Sequence, residues 1–299
     1  MSGKVLVVCG PTASGKTALA VQCAKRLQTE IISADSMLVY QDLNIGTAKP
    51  DEAEMDGVKH HMIDVVSPFD SFSVSDYEKA ALPILEDLLS RGKTPVVCGG
   101  TGFYVNALLY KSQFGNVGAN AEIREKYERI YKEQGGKYLH ELLQKVDLES
   151  ANKLHENDVK RVIRALEIYE LTGKPKSMQQ DKQIPRFDFV AVSIAHDRQT
   201  LYERINRRVD EMFERGLLQE VQGLISRGVL KTSQCMQGIG YKEIVEGLET
   251  GNSIDEIKEL IKKNTRNYAK RQETFFKRMD NRICLNPRDI MIDEVLKTL

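Results

Sequence analysis

Lys4–Cys9 (KVLVVC) is apolar from its second residue onward without a break, the pattern of a strand buried on both faces of a parallel sheet. Residues 10–17 interrupt the run, and residues 18–27 resume it with apolar positions at helical spacing. Residues 30–34 (EIISA) predict a second short strand, followed by an acidic loop punctuated by Gly46, Pro50, Gly57 and Pro68. Ser75 and Glu78 predict a capping box that starts a helix running through Leu89. Residues 94–98 (TPVVC) predict a third strand, ending in Gly99-Gly100-Thr101-Gly102. Strands alternating with helices imply an α/β fold with a parallel sheet and a ligand at the strands' carboxyl ends.

The pattern then changes. From about residue 120 to residue 173 there is no convincing strand, only helical periodicity over residues 123–131, 138–146 and 159–171. A polar stretch, residues 174–186, precedes a return to strand character at residues 187–195 (FDFVAVSIA). Long helices over residues 198–215 and 254–279 and a last strand at Arg282–Leu285 complete the chain. The expected architecture is a parallel-sheet core, residues 1–113 and 188–299, carrying an inserted all-helical domain, residues 114–187.

Composition narrows the function classes. The 299 residues carry 43 Lys+Arg against 43 Asp+Glu, so any nucleic-acid surface must come from local segregation of charge. Such segregation exists: residues 42–87 hold eleven acidic residues against three lysines, and residues 258–282 hold nine basic against three acidic. A helical charge run of this kind is ordinarily a solvated face; a phosphate-contacting surface needs a partner motif. No apolar stretch approaches the roughly 18 residues of a membrane span, and the N-terminus lacks a secretory pattern. Five dispersed cysteines without a C-x-x-C pair suit reduced thiols. A cytoplasmic location is therefore expected.

The chemistry begins at residues 10–17, GPTASGKT, a match to G-x-x-x-x-G-K-[ST] placed between a buried strand and an amphipathic helix. Backbone amides of Gly10, Thr12, Ala13, Ser14 and Gly15 can cradle phosphate oxygens at a helix N-terminus. Lys16 adds charge, and the Thr17 hydroxyl can ligate Mg²⁺. The loop binds a di- or triphosphate without saying what becomes of it, so a small-molecule kinase fits equally well at this point. Asp35, at the end of the second strand, can be a metal ligand, a general base or a loop cap. Thr101 presents a hydroxyl to the same cleft. His60-His61 lacks surrounding ligands at metal-site spacing.

Six motifs in order, GPTASGKT, SADSMLVY (residues 33–40), IGTAKP, HHMIDV, GGTGFY and NDVKRVIRALEIY (residues 157–169), resemble those of bacterial tRNA dimethylallyltransferases over nearly the whole chain. The resemblance implies transfer of a dimethylallyl group from dimethylallyl diphosphate to N6 of the adenosine 3′ of the anticodon (position 37), with diphosphate leaving and Mg²⁺ as cofactor. It implies a catalytic set of Asp35 as general base with Thr101 and Arg208, and a diphosphate held by residues 10–17. The anticodon stem-loop of tRNA would be contacted by Asp35, Ser36, Met37, Leu38, Thr101, Lys242 and Arg271. Arg124, Lys160, Arg161 and Arg164 match tRNA-contacting positions in the helical insertion. As the bland alternative, Arg208 could pair with a carboxylate on its own helix, and Phe275-Phe276 are more often core than stacking platforms. A monomer acting without a membrane is expected. The rival readings are a phosphate-loop kinase, a prenyltransferase acting on free adenine nucleotide, whose substrate needs no clamp, and a non-enzymatic RNA-binding protein.

Overall fold

The computed structural model describes residues 4–111, 118, 120–178, 184–279 and 282–299. In chain order the elements are β1 (Lys4–Cys9), α1 (Lys16–Leu27), β2 (Ile31–Ser33), α2 (Glu52–Met55), β3 (His60–His61), α3 (Val74–Ser90), β4 (Val96–Gly99), α4 (Gly102–Leu109) and β5 (Tyr110–Lys111). Next come α5 (Ala121–Val146), α6 (Leu148–Lys153), α7 (Val159–Thr172), β6 (Ile184–Pro185) and β7 (Asp188–Ile194). The chain ends with α8 (Arg198–Glu214), α9 (Leu217–Ser226), α10 (Tyr241–Thr250), α11 (Ile254–Phe276), β8 (Arg282–Leu285) and α12 (Ile292–Lys297). It divides into two compact units, Met1–Tyr110 with Pro185–Leu299, and Lys111–Ile184. The boundaries read from the sequence lie three residues further along at each junction.

The first unit is built on a six-stranded sheet in the order β3-β2-β4-β1-β7-β8, in which every strand pair runs parallel. β1 shows why its sequence is unbroken apolar. Val5, Val7 and Cys9 join a core that includes Tyr77, Leu85, Leu108 and Tyr241. Leu6 and Val8 join a separate core with Leu19, Cys23, Ile31 and Val96. A strand covered on both faces has no polar side to show.

Several local expectations are corrected. Helix α3 is capped by Ser73, whose Oγ accepts from Asp76 N–H at 3.2 Å while Asp76 Oδ2 accepts from Ser73 N–H at 3.0 Å. Ser75 therefore lies inside the helix, and Glu78 pairs with Arg186 instead of closing a box. Helix α11 stops at Phe276, not residue 279, and helices α4, α9 and α10 were not expected.

In the second unit α5 spans both segments expected at residues 123–131 and 138–146. Gly135, at φ 80° and ψ 173°, breaks the helix between them, a conformation open to glycine and strained for other residues. Tyr127, Leu139, Leu143, Val162 and Leu166 form this unit's own core. Buried Asp147 accepts from Ser150 N–H and from Ser177 N–H, each at 3.0 Å, fixing the end of α5 to the start of α6 and to the turn at Lys176–Met178 beyond α7. Among the described residues no helix is long and apolar enough to cross a membrane.

Candidate active site

The loops that follow β1, β2 and β4 converge at the carboxyl edge of the sheet in the first unit. Ala34 N–H donates to Cys98 O at 2.8 Å and Thr101 N–H to Ala34 O at 3.0 Å, locking the second loop to the third. Gly99 permits this approach, because a Cβ there would collide with the Ala34 carbonyl. Thr101 Oγ1 accepts from Ser36 N–H at 2.9 Å and donates to Ser36 Oγ at 3.2 Å.

Residues 10–17 lead from β1 into α1. Gly10, Ala13 and Gly15 have φ of 140°, 61° and 91° before α1 begins at Lys16, and the Thr12 amide, expected to face phosphate, is taken by Gln272 instead. Other elements hold the loop from outside. Arg204 Nε donates to Ala13 O at 2.7 Å, and His196 Nε2 lies 2.9 Å from Ser14 O. Buried Gln272 accepts from Thr12 N–H at 2.9 Å and donates to Gly100 O at 2.9 Å, tying the first loop to the third. None of these three was singled out in the sequence. Gln272 lies 260 residues from Thr12, so no local spacing announces it.

Two cavities open here. One, of about 250 Å³, is lined by Thr12, Ala13, Gly15, Lys16 and Thr17 together with Leu38, Glu54, His60, Arg204 and Arg208. The other, of about 390 Å³, is lined by Ser36 and Met37, by apolar Ile205, Val209, Met212, Ile239 and Ile261, and by Tyr268 and Arg271. Thr12, Asp35, Thr47, Ala48 and Arg208 border both. Asp35 Oδ1 accepts from Met37 N–H at 2.9 Å, the loop-cap role that was one of three options; the same carboxylate also faces both cavities.

The charges lining the smaller cavity favour an anion. Lys16, Arg204 and Arg208 form no ion pair among the described residues, while Asp35 and Glu54 are the carboxylates in its lining. Burial pulls the Lys16 ammonium below the ordinary lysine range, partly offset by Asp35. Burial also lowers Arg208, whose Nη1 lies 3.4 Å from Thr12 Oγ1. It is Arg207, not Arg208, that pairs along α8 with Glu211. Beside the larger cavity burial pushes Tyr268 up to about 12, with Asp35 adding to the effect.

Thr47 and Ala48 are held from both sides. Glu220 accepts from the amides of Asn44, Ile45 and Gly46 at 2.9, 2.8 and 3.1 Å and from Tyr241 Oη at 2.6 Å. Buried Lys49 donates to Tyr40 O at 2.9 Å and pairs with Asp64. Lys242 lies outside this cavity lining, on α10 with Glu246 Oε1 at 3.5 Å; the preceding Gln237, Gly238, Ile239 and Gly240 line the larger cavity. Phe276 is fully buried, and Phe275 packs edge-on against exposed Phe103.

In the helical unit the four basic candidates separate into two kinds. Glu167 is fully buried and receives Arg124 Nε at 2.9 Å, Arg124 Nη2 at 3.1 Å, Arg164 Nη1 at 2.6 Å and Asn120 N–H at 2.7 Å. Arg161 is exposed, its Nη1 3.2 Å from Asp158, and Lys160 is exposed as well.

Known proteins resemble this chain along nearly its whole length. A family model described as IPP transferase matches residues 38–279, and one described as isopentenyl transferase matches residues 3–71. A tRNA dimethylallyltransferase of Acetivibrio thermocellus is 48% identical over 99% of this chain and 96% of its own length. That of Bacillus cereus (strain ATCC 14579) is 46% identical over 92% and 87%. The crystal structure of the tRNA isopentenylpyrophosphate transferase of Bacillus halodurans superposes with a TM-score of 0.73 at 40% identity, covering 99% of this chain and 94% of that one. A eukaryotic dimethylallyltransferase acting on tRNA gives a TM-score of 0.82 at 31% identity over 95% and 74%. Spanning both cavities and nearly the full chain, these matches show that it belongs to the tRNA dimethylallyltransferase (IPP transferase) family.

Proposed function

We propose that this chain transfers the dimethylallyl group of dimethylallyl diphosphate to N6 of the adenosine 3′ of the anticodon (position 37) in tRNA and releases diphosphate. The observation that carries this reading is the junction at Asp35, where a cationic cavity on the phosphate loop meets a larger, partly apolar one. A kinase needs a nucleotide pocket beyond its phosphates; here the space beyond the loop is a partly apolar cavity that shares the Asp35 carboxylate with the phosphate-loop cavity.

In this reading residues 10–17, Lys16 and Arg208 take the diphosphate, and the prenyl carbon bonded to it points toward Asp35. The adenine, turned out of its stack, enters the larger cavity. N6 attacks the prenyl carbon, the carbon–oxygen bond breaks, and diphosphate leaves with the electron pair. Lys16, Arg208 and the loop amides stabilise the charge that develops on it. Asp35 accepts the proton shed by N6, and Thr101 orients the reacting groups through Ser36.

Among the described residues no group of three or more His, Cys, Asp or Glu side chains can hold a metal ion unaided. The donor set suits an ion brought with its diphosphate: Thr17 at the first turn of α1, phosphate oxygens and water, the combination Mg²⁺ commonly keeps. Bound there, Mg²⁺ would supply further charge neutralisation for the leaving diphosphate.

Incubating the chain with tRNA and either labelled dimethylallyl diphosphate or labelled ATP tests the reading. Label from the prenyl donor should enter tRNA. Label transferred from ATP to a small acceptor, with none from the prenyl donor, would overturn it in favour of a kinase.

A further inference from the structure

The smaller cavity holds two polar atoms that the proposed chemistry leaves without work. His60 Nε2 and Ser33 Oγ are both buried and have no hydrogen-bond partner, and both residues line this cavity together with Lys16 and Thr17. Their placement follows from the sheet. In the parallel pairing of β2 with β3, Ile31 stands opposite His60, and Ser33 lies two residues beyond Ile31 on the same face. In the pairing with β4, Ser33 stands opposite Cys98, which lines the cavity too. Ile31, Ser33, His60 and Cys98 thus form one wall of the cavity, on a shared face of the sheet.

The chemistry of that wall is specific. His60 Nδ1 lies 2.9 Å from Val58 O. A carbonyl oxygen can only accept, so Nδ1 carries the proton and Nε2 presents a lone pair. A lone pair repels bare phosphate oxygens and requires a donor. Water bound to a divalent cation is such a donor, since its own lone pair is engaged by the metal. The Ser33 hydroxyl can accept from a second such water or donate to a phosphate oxygen. Buried polar groups left empty-handed cost stability, so a pair of them in a ligand cavity marks where a ligand's polar atoms belong.

We infer that His60 and Ser33 anchor the hydration shell of the divalent ion that arrives with the prenyl diphosphate, His60 Nε2 accepting a hydrogen bond from a metal-bound water. This rests on the diphosphate reading above and extends it: His60 is a positioning residue that acts on the ion through water, in addition to Thr17. It also gives the HHMIDV motif a task, which the absence of neighbouring metal ligands in the sequence had hidden.

Calorimetric titration of the full chain with inorganic pyrophosphate, once with Mg²⁺ and once with EDTA, separates the possibilities without any turnover. The wild-type chain should bind more tightly with Mg²⁺. His60→Phe, which keeps a ring and removes the acceptor, should lose about tenfold of that Mg²⁺-dependent gain, the usual scale for an outer-shell partner, and leave the EDTA affinity unchanged. His60→Gln, which restores an acceptor, should recover part of the gain. Ser33→Ala, the smaller change, should lose a share of it and serves if the phenylalanine variant does not fold. An unaltered ratio of Mg²⁺ to EDTA affinities in folded His60→Phe, or in Ser33→Ala when it stands in, overturns the inference alone. A wild-type chain that binds pyrophosphate equally with and without Mg²⁺ overturns it together with the metal assignment.

Discussion

Asp35 illustrates how one side chain is read differently once its neighbours are known. The sequence leaves it as cap, base or metal ligand. In the structure Oδ1 caps the Met37 amide and the carboxylate borders both cavities. His60, the histidine in the lining of these cavities, borders only the phosphate-loop side, so on the proposed reading the proton of an amine entering from the other falls to Asp35. Asp35→Asn preserves an oxygen for the Met37 amide and removes basicity. Single-turnover transfer should fall by about 10²–10⁴-fold, the scale of general acid–base catalysis, while affinities for donor and tRNA move far less. Repeating the measurement across a Mg²⁺ titration separates the roles. Recovery toward the wild-type rate at high Mg²⁺ would make Asp35 a metal ligand instead.

At the scale of elements, what was legible is what is locally determined. The phosphate loop and β1 could be read because an unbroken apolar strand running into G-x-x-x-x-G-K-T has few other meanings. Strand β8 was placed at its observed bounds, Arg282–Leu285. The start of α3 was not placed, because Ser73-x-x-Asp76 and Ser75-x-x-Glu78 are both acceptable capping boxes within a few residues of each other. A tertiary interaction decides between them: Glu78 is drawn to Arg186, 108 residues away. Helices α9 and α10 are ten residues each and begin after Gly216 and Gly240. Neither glycine has a side chain to cap its helix, and at α10 the one capping contact is Glu243 Oε2 accepting from Gly240 N–H at 2.8 Å. The site's long-range braces, Gln272 and Glu220, were illegible for the same reason. Gln272→Met tests one of them. It keeps the side chain's length but leaves Gly100 O buried without a partner, at about 1–3 kcal/mol for an unsatisfied group, and releases Thr12 N–H at the cavity edge. The urea midpoint should drop accordingly, and affinity for dimethylallyl diphosphate should fall more than affinity for tRNA. Equal loss of both would mean that Gln272 supports the unit generally and not the phosphate loop in particular.

For the whole molecule, charge counting along the chain is too coarse, since the same residue type does two jobs in the helical unit. Arg124 and Arg164 converge on buried Glu167, and the side-chain hydrogen bonds from both arginines hold its carboxyl below the usual range against the opposing effect of burial. Removing either partner exposes a buried carboxylate to an incomplete shell, at a cost on the order of 3 kcal/mol for a broken buried pair. Lys160 and Arg161 stand exposed at the start of α7 and are spared that duty. They are the better test of RNA binding. Lys160→Glu with Arg161→Glu should keep the melting temperature, weaken tRNA binding, and reduce the slope of log affinity against log salt by about one for each phosphate no longer neutralised. Affinity for the prenyl diphosphate should survive, because every residue lining the two cavities belongs to the sheet-bearing unit. Arg164→Glu should instead lower the melting temperature by placing a second carboxylate against Glu167, and any binding loss should track that unfolding. Filter binding across a salt series, run beside thermal melts of the same variants, distinguishes the two. If the Lys160 and Arg161 reversal leaves tRNA affinity unchanged at every salt concentration, that surface is a solvated face and the clamp must be sought elsewhere.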